Sequence, residues 1–150
     1  MIQKITPNLW FDGNAQEAVD FYMSVFPNSK ITLTTRYPEE GLADFQKDMA
    51  GKVLAIDYEL NGNRFTAINA GPEFKFNEAV SFAIECDDQD ELDEYWEKLS
   101  AVPESEQCGW CKDKFGLSWQ IVPKNMGELM TRPHAFEKLM EMKKIVIADF

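Results

Sequence analysis

The chain has 150 residues, 45% hydrophobic and 13% aromatic, enough to bury a core without disulfide or metal staples. Fifteen basic residues against 26 acidic ones leave a net charge of −11, which opposes nucleic acid and anionic membranes as partners. No apolar run exceeds four residues, which excludes a transmembrane span and a signal-peptide core, and the opening stretch has no targeting pattern.

The elements are read in chain order. Ile5, Leu9 and Phe11 alternate with Thr6, Asn8 and Trp10, which predicts a strand, with Pro7 favouring an edge. Asp12-Gly13-Asn14 is a break, and Asn14 with Glu17 three residues on is a cap-like helix start. Ala15, Ala18, Val19, Tyr22 and Phe26 recur at helical spacing until Pro27. Lys30 to Tyr37 is β-branched and strand-like. Pro38 to Gly51 is polar and contains Pro and Gly, which predicts a long loop or lid. Val53 to Leu60 alternates, with Asp57 and Glu59 opposite Leu54, Ile56, Tyr58 and Leu60. Asn61-Gly62-Asn63 is a hairpin signal before a returning strand, Arg64 to Ala70.

The pattern then restarts. Val80, Phe82, Ile84 and Cys86 face one way. Asp87-Asp88 precedes an acidic helix with Leu92, Trp96 and Leu99 on its apolar side. Ala101 to Gln107 reads as a loop or short strand. Cys108 to Lys112 and Leu117 to Val122 form a hairpin around Asp113-Lys114-Phe115-Gly116, with Trp119 and Ile121 on the helix side and Ser118 and Gln120 opposite. A helical tail carries Phe136, Leu139 and Met140, and Ile145 to Phe150 is a short apolar end that docks on the body. Strand, Asp, acidic helix and aromatic pair thus occur twice, as Phe11-Asp12 to Phe21-Tyr22 and as Cys86-Asp87-Asp88 to Tyr95-Trp96. The predicted fold class is α+β. Two βαβββ modules (residues 5–70 and 79–123) and a helical tail (126–150) form one domain, with helices outside and a cup between curved half-sheets.

The motifs Thr6-Pro-Asn-Leu-Trp-Phe-Asp-Gly-Asn14, Phe21-Tyr22, Phe26-Pro27, Cys108-Gly-Trp110 and Asp113-Lys-Phe-Gly-Leu-Ser-Trp-Gln-Ile-Val-Pro123 give the chain its resemblance. It resembles the PhnB-like branch of the vicinal oxygen chelate superfamily, which includes glyoxalase I, bleomycin-resistance proteins and extradiol dioxygenases. The resemblance implies a cup that receives a small molecule and a homodimer. The superfamily takes its metal from His and Glu on the first and last strands of each module. The matching positions here are Thr6, Asn69, Ser81 and Gln120, none of them His or Glu. Neutral hydroxyls and amides coordinate divalent ions weakly, so no metal and no other cofactor is expected. Related sequences carry a ubiquinone-biosynthesis methyltransferase label, but the chain has no Gly-rich strand-to-helix loop for a methyl-donor nucleotide.

The candidate ligand-binding residues are Thr6, Asn8, Trp10, Asp57, Asn69, Ser81 and Gln120. Trp10 shares a face with Thr6 and Asn8 and offers an aromatic wall. Asp57 is either a base in a partly dry cup or a carboxylate paired with Arg64 or Arg36 at its edge. The Cys108-Gly-Trp-Cys111 spacing reads as two ordinary hairpin cysteines, Cys86 as a core residue and His134 as a surface or capping histidine. Three cysteines suit a reducing, cytoplasmic setting. Three functions stay open: a metal-free binder of a small, aromatic or amphipathic molecule; an enzyme with superfamily-type lyase, isomerase or dioxygenase chemistry; and an interaction domain with a filled cup.

Overall fold

The computed structural model describes residues 3–150, which form two compact units that divide between Lys75 and Phe76. In the first unit, strand β1 (Asn8–Asp12) leads to helix α1 (Ala15–Val25) and strands β2 (Lys30–Arg36), β3 (Val53–Leu60) and β4 (Asn63–Ala70). They make one mixed sheet in the order β1-β4-β3-β2, with β1 parallel to β4 and the other pairs antiparallel. The predicted alternation sets its two faces. Leu9, Phe11, Ile56, Tyr58, Leu60, Phe65 and Ala67 are buried on the side that carries α1. The helix answers with Ala15, Ala18, Val19, Tyr22 and Val25. Pro27 ends it as expected: Phe26, the residue before the proline, turns extended (φ −102°, ψ 135°).

Two expectations for this unit change. Ile5 does not share the buried face of Leu9 and Phe11; it precedes β1 and is 86% exposed. The pairing runs out there because Pro7 has no N–H, although its carbonyl still accepts from Thr66 N at 2.9 Å. Asn14 makes no side-chain cap bond. The first amide of α1, Ala15 N, instead donates to Asn69 Oδ1 on β4 at 3.1 Å.

In the second unit, β5 (Ser81–Cys86) is followed by α2 (Gln89–Leu99), β6 (Trp110–Lys112) and β7 (Ser118–Pro123), in the sheet order β5-β7-β6. This module has three strands rather than the predicted four. Pro103 removes a ladder donor, and residues 103–105 wind into one 3-10 turn that Ser100 Oγ closes by donating to Glu106 Oε2 at 2.7 Å. Asp88 caps α2, accepting from Glu91 N at 2.9 Å, and Leu92 and Leu99 are its buried residues. Trp119 and Ile121 are buried as predicted, and Phe82 lies 5.8 Å from Trp119. Asp113 organises the hairpin. Fully buried, it accepts from Phe115 N, Leu117 N and Trp119 Nε1 at 2.8, 3.1 and 2.9 Å.

The tail forms two short helices, α3 (Met126–Leu129) and α4 (Ala135–Met140), and then docks by its backbone. Cys108 N and Gly109 N donate to Met142 O and Lys143 O at 2.7 and 2.8 Å. The Gln89 amide brackets the next residues, donating to Ile145 O at 3.0 Å and accepting from Ile147 N at 2.8 Å. Ile145 is fully buried. Among the described residues no helix is long and apolar enough to cross a membrane.

Candidate functional site

The face of the first sheet opposite α1 holds two clefts. The larger, about 400 Å³, lies where the 3-10 turn Asp44–Met49 meets the sheet. That turn lies within the segment Pro38 to Gly51, expected from the sequence to be a long loop or lid. Trp10, Ile68 and Ala70 line the cleft from the sheet, Phe45 and Met49 from the turn, and Tyr37 from the end of β2. Trp10 is held in place: its Nε1 donates to Gly71 O at 2.9 Å, and its ring meets Phe74 edge-on at 4.8 Å. Tyr37 is anchored too, donating its hydroxyl to Asn69 O at 2.7 Å. Two carboxylates, Asp48 and Glu73, also line this cleft, and no Lys, Arg or His does. The sequence reading missed Phe45, Asp48 and Glu73. A lone aromatic in a polar loop was the only available signal.

The second cleft, about 360 Å³, brings together the candidates Thr6 and Asp57 with Thr32, Arg64 and Thr66. Asp57 Oδ1 accepts from Thr66 Oγ1 at 2.7 Å. Arg64 reaches Thr6 Oγ1 at 3.4 Å and Gln3 O at 3.1 Å. Asp57 is therefore fixed by a hydroxyl, while the guanidinium beside it serves the segment before β1. Asn8 is exposed and bonds the Thr6 carbonyl at 2.9 Å.

Asn69 does not belong with these residues. Its register partner on β1 is Phe11, so it falls on the α1 side with Phe65 and Ala67 and is 7% exposed. Its amide joins three elements, accepting from Ala15 N and donating to Val53 O at 2.9 Å. The β4 residues on the cleft face are Arg64, Thr66, Ile68 and Ala70.

In the second unit Ser81 and Gln120 are neighbours, Gln120 Nε2 donating to Ser81 Oγ at 2.9 Å. Cys108 and Cys111 are both free. Burial pushes the Cys111 thiol up to about 12, with nearby Asp113 adding to the shift, and raises Cys108 as well. Raised thiols are the reverse of what a redox or zinc CxxC needs. Cys86 is likewise buried and pushed up to about 12. His134 is exposed beside Glu137 at 3.5 Å.

The metal that the superfamily uses does not fit the donor set. Thr6, Ser81 and Gln120 offer neutral oxygens, and Asn69 spends its amide on the backbone. Among the described residues no three of His, Cys, Asp and Glu gather closely enough to hold an ion.

The sequence profile of the family described as 3-demethylubiquinone-9 3-methyltransferase matches residues 3–122. The chain belongs to this family. Its PhnB-like character extends to solved structures. The PhnB protein from Bacillus cereus is 34% identical, with a TM-score of 0.63 over 81% of this chain and 98% of that one. Protein PA1353 from Pseudomonas aeruginosa is 18% identical, with a TM-score of 0.58 over 81% and 97%. The fosfomycin resistance protein FosX from Mesorhizobium loti, at 11% identity, has a TM-score of 0.54 over 88% of this chain and 100% of its own. The last two show a shared fold and no more. No curated protein matches the chain.

Proposed function

We propose that this PhnB-like protein binds a small molecule with an apolar, flat body in the cleft beside Trp10, without a bound metal. The observation that carries the reading is the cleft itself. Its aromatic wall is fixed in advance by the Trp10–Gly71 hydrogen bond and the Phe74 edge contact, so a ligand need not order it. The neutral donor set at the superfamily's ligand positions supports binding without an ion. The family's name denotes methyl transfer. The turn from β1 into α1, Asp12-Gly13-Asn14, has a single glycine and does not favour a methyl-donor nucleotide site. The test is calorimetry of chelator-treated protein against a panel of planar aromatic compounds. Saturable binding that Trp10→Ala abolishes is expected. Binding that appears only on adding a divalent ion would overturn the reading.

A second reading, carboxylate-dependent catalysis, is favoured by Asp57 lining its own cleft with Arg64 and Thr6. Turnover of a bound compound that is lost in Asp57→Asn, with binding intact, would support it.

We also propose that the chain pairs with a second copy. Strand β2 is a sheet edge exposed along its whole length, and its apolar residues Ile31 and Leu33 are 37% and 54% exposed.

A further inference from the structure

We propose that the cleft beside Trp10 selects an organic cation, an aromatic or alkyl body carrying a fixed positive charge; this rests on reading that cleft as a ligand site. Three aromatic side chains, Trp10, Tyr37 and Phe45, come from three separate segments to line it, and two carboxylates, Asp48 and Glu73, come from two. An aromatic ring presents a negative face, so rings and carboxylates attract the same kind of ligand.

The positions of the acids are local and specific. The Glu73 side chain folds back over Gly71: a Cβ built on that glycine would stand 2.7 Å from Glu73 Oε2. Gly71 is also the residue whose carbonyl holds the Trp10 indole N–H. Carboxylate and indole therefore converge on one stretch of backbone. Asp48 approaches from the turn Asp44–Met49. Lys47, next to it, points its charge elsewhere, pairing with Asp44 at 2.8 Å. No basic side chain lines the cleft to cancel the two acids. The chain's −11 charge adds a long-range attraction for cations and a repulsion of anions.

The test uses calorimetry of the full chain with three bicyclic probes of similar shape at neutral pH: N-methylquinolinium, uncharged quinoline and anionic quinaldate. The cation should bind about tenfold tighter than quinoline at low salt, from combined ring and carboxylate attraction, with quinaldate weakest. High salt should narrow the gap. The double variant Asp48→Asn, Glu73→Gln should weaken the cation far more than quinoline, leaving only the smaller preference that the aromatic rings supply. Equal affinity of the parent for cation and quinoline, or a double variant that keeps the parent's full preference for the cation, overturns the charge selectivity while leaving the cleft a ligand site. Failure of all three probes to bind overturns both readings.

Discussion

Asn69 looks like a ligand residue in the sequence and acts as a brace in the fold. Its carbonyl oxygen satisfies one of the four amides that every helix leaves open at its start, and its NH₂ ties β4 to Val53. Asn69→Ala removes the acceptor of the buried Ala15 amide and the donor to the part-buried Val53 carbonyl, and about 2 kcal/mol of stability should be lost. Asn69→Asp keeps the acceptor for Ala15 N but not the donor for Val53 O, so it should fall between. Urea unfolding measures both. Equal stability of Asn69→Ala and the parent would show that the brace contributes nothing. The buried thiols make a second prediction. Cys86 and Cys111 keep their protons in the folded chain up to about 12, whereas the unfolded chain releases them near the ordinary thiol value of about 8.5. The unfolded state therefore binds fewer protons above that value, and stability falls as pH rises across the interval. In a thiol-reagent titration of native protein near pH 8, half-buried Cys108 should react first and the other two only on unfolding. Rapid reaction of all three would contradict the burial.

The tail is an element held by backbone rather than by a large apolar face. Gly109 sits at φ 89°, a left-handed conformation that other residues adopt at a cost, and a Cβ there would stand 2.8 Å from Ile145 Cδ1. The Gly109 amide also donates to Lys143 O. Gly109→Ala should therefore strain the turn and lift residues 142–147 together, costing about 2 kcal/mol. Hydrogen exchange of Ile147 N, held by Gln89, should speed up in this variant; unchanged protection would refute the coupling. The same scale shows what the sequence made legible. The alternation in Val53–Leu60 and the Asn61-Gly62 turn predict β3 and its hairpin because local pattern and tertiary burial agree there. They disagree on β4, where a polar Asn69 faces the core and an apolar Ile68 faces a cleft; matching Asn69 to a superfamily ligand position puts it on the wrong side, although period two groups it with Phe65 and Ala67. The cap of α1 was hidden for a related reason: its donor and acceptor are 54 residues apart. The missing fourth strand of the second module follows from Pro103, a local signal that the repeat pattern outweighed.

At the scale of the whole molecule, duplicated motifs were enough to predict the family, and the profile match and the Bacillus cereus structure bear that out. The clefts were not predictable, because Trp10 and Phe45 meet only through the fold. An exposed β2 edge on each chain leads to the expectation that light scattering reports twice the chain mass of 17.3 kDa, and that Leu33→Lys shifts it towards a single copy. A single-chain mass for the parent at all concentrations would contradict pairing. The central claim, a metal-independent ligand cleft walled by Trp10, is tested most directly by the nitrogen–proton spectrum of chelator-treated protein titrated with N-methylquinolinium. The account predicts that the Trp10 indole N–H signal shifts in a saturable way while that of Trp119, bonded to Asp113 in the second unit, stays fixed. A Trp10 signal that does not move, or moves only once a divalent ion is added, would contradict it.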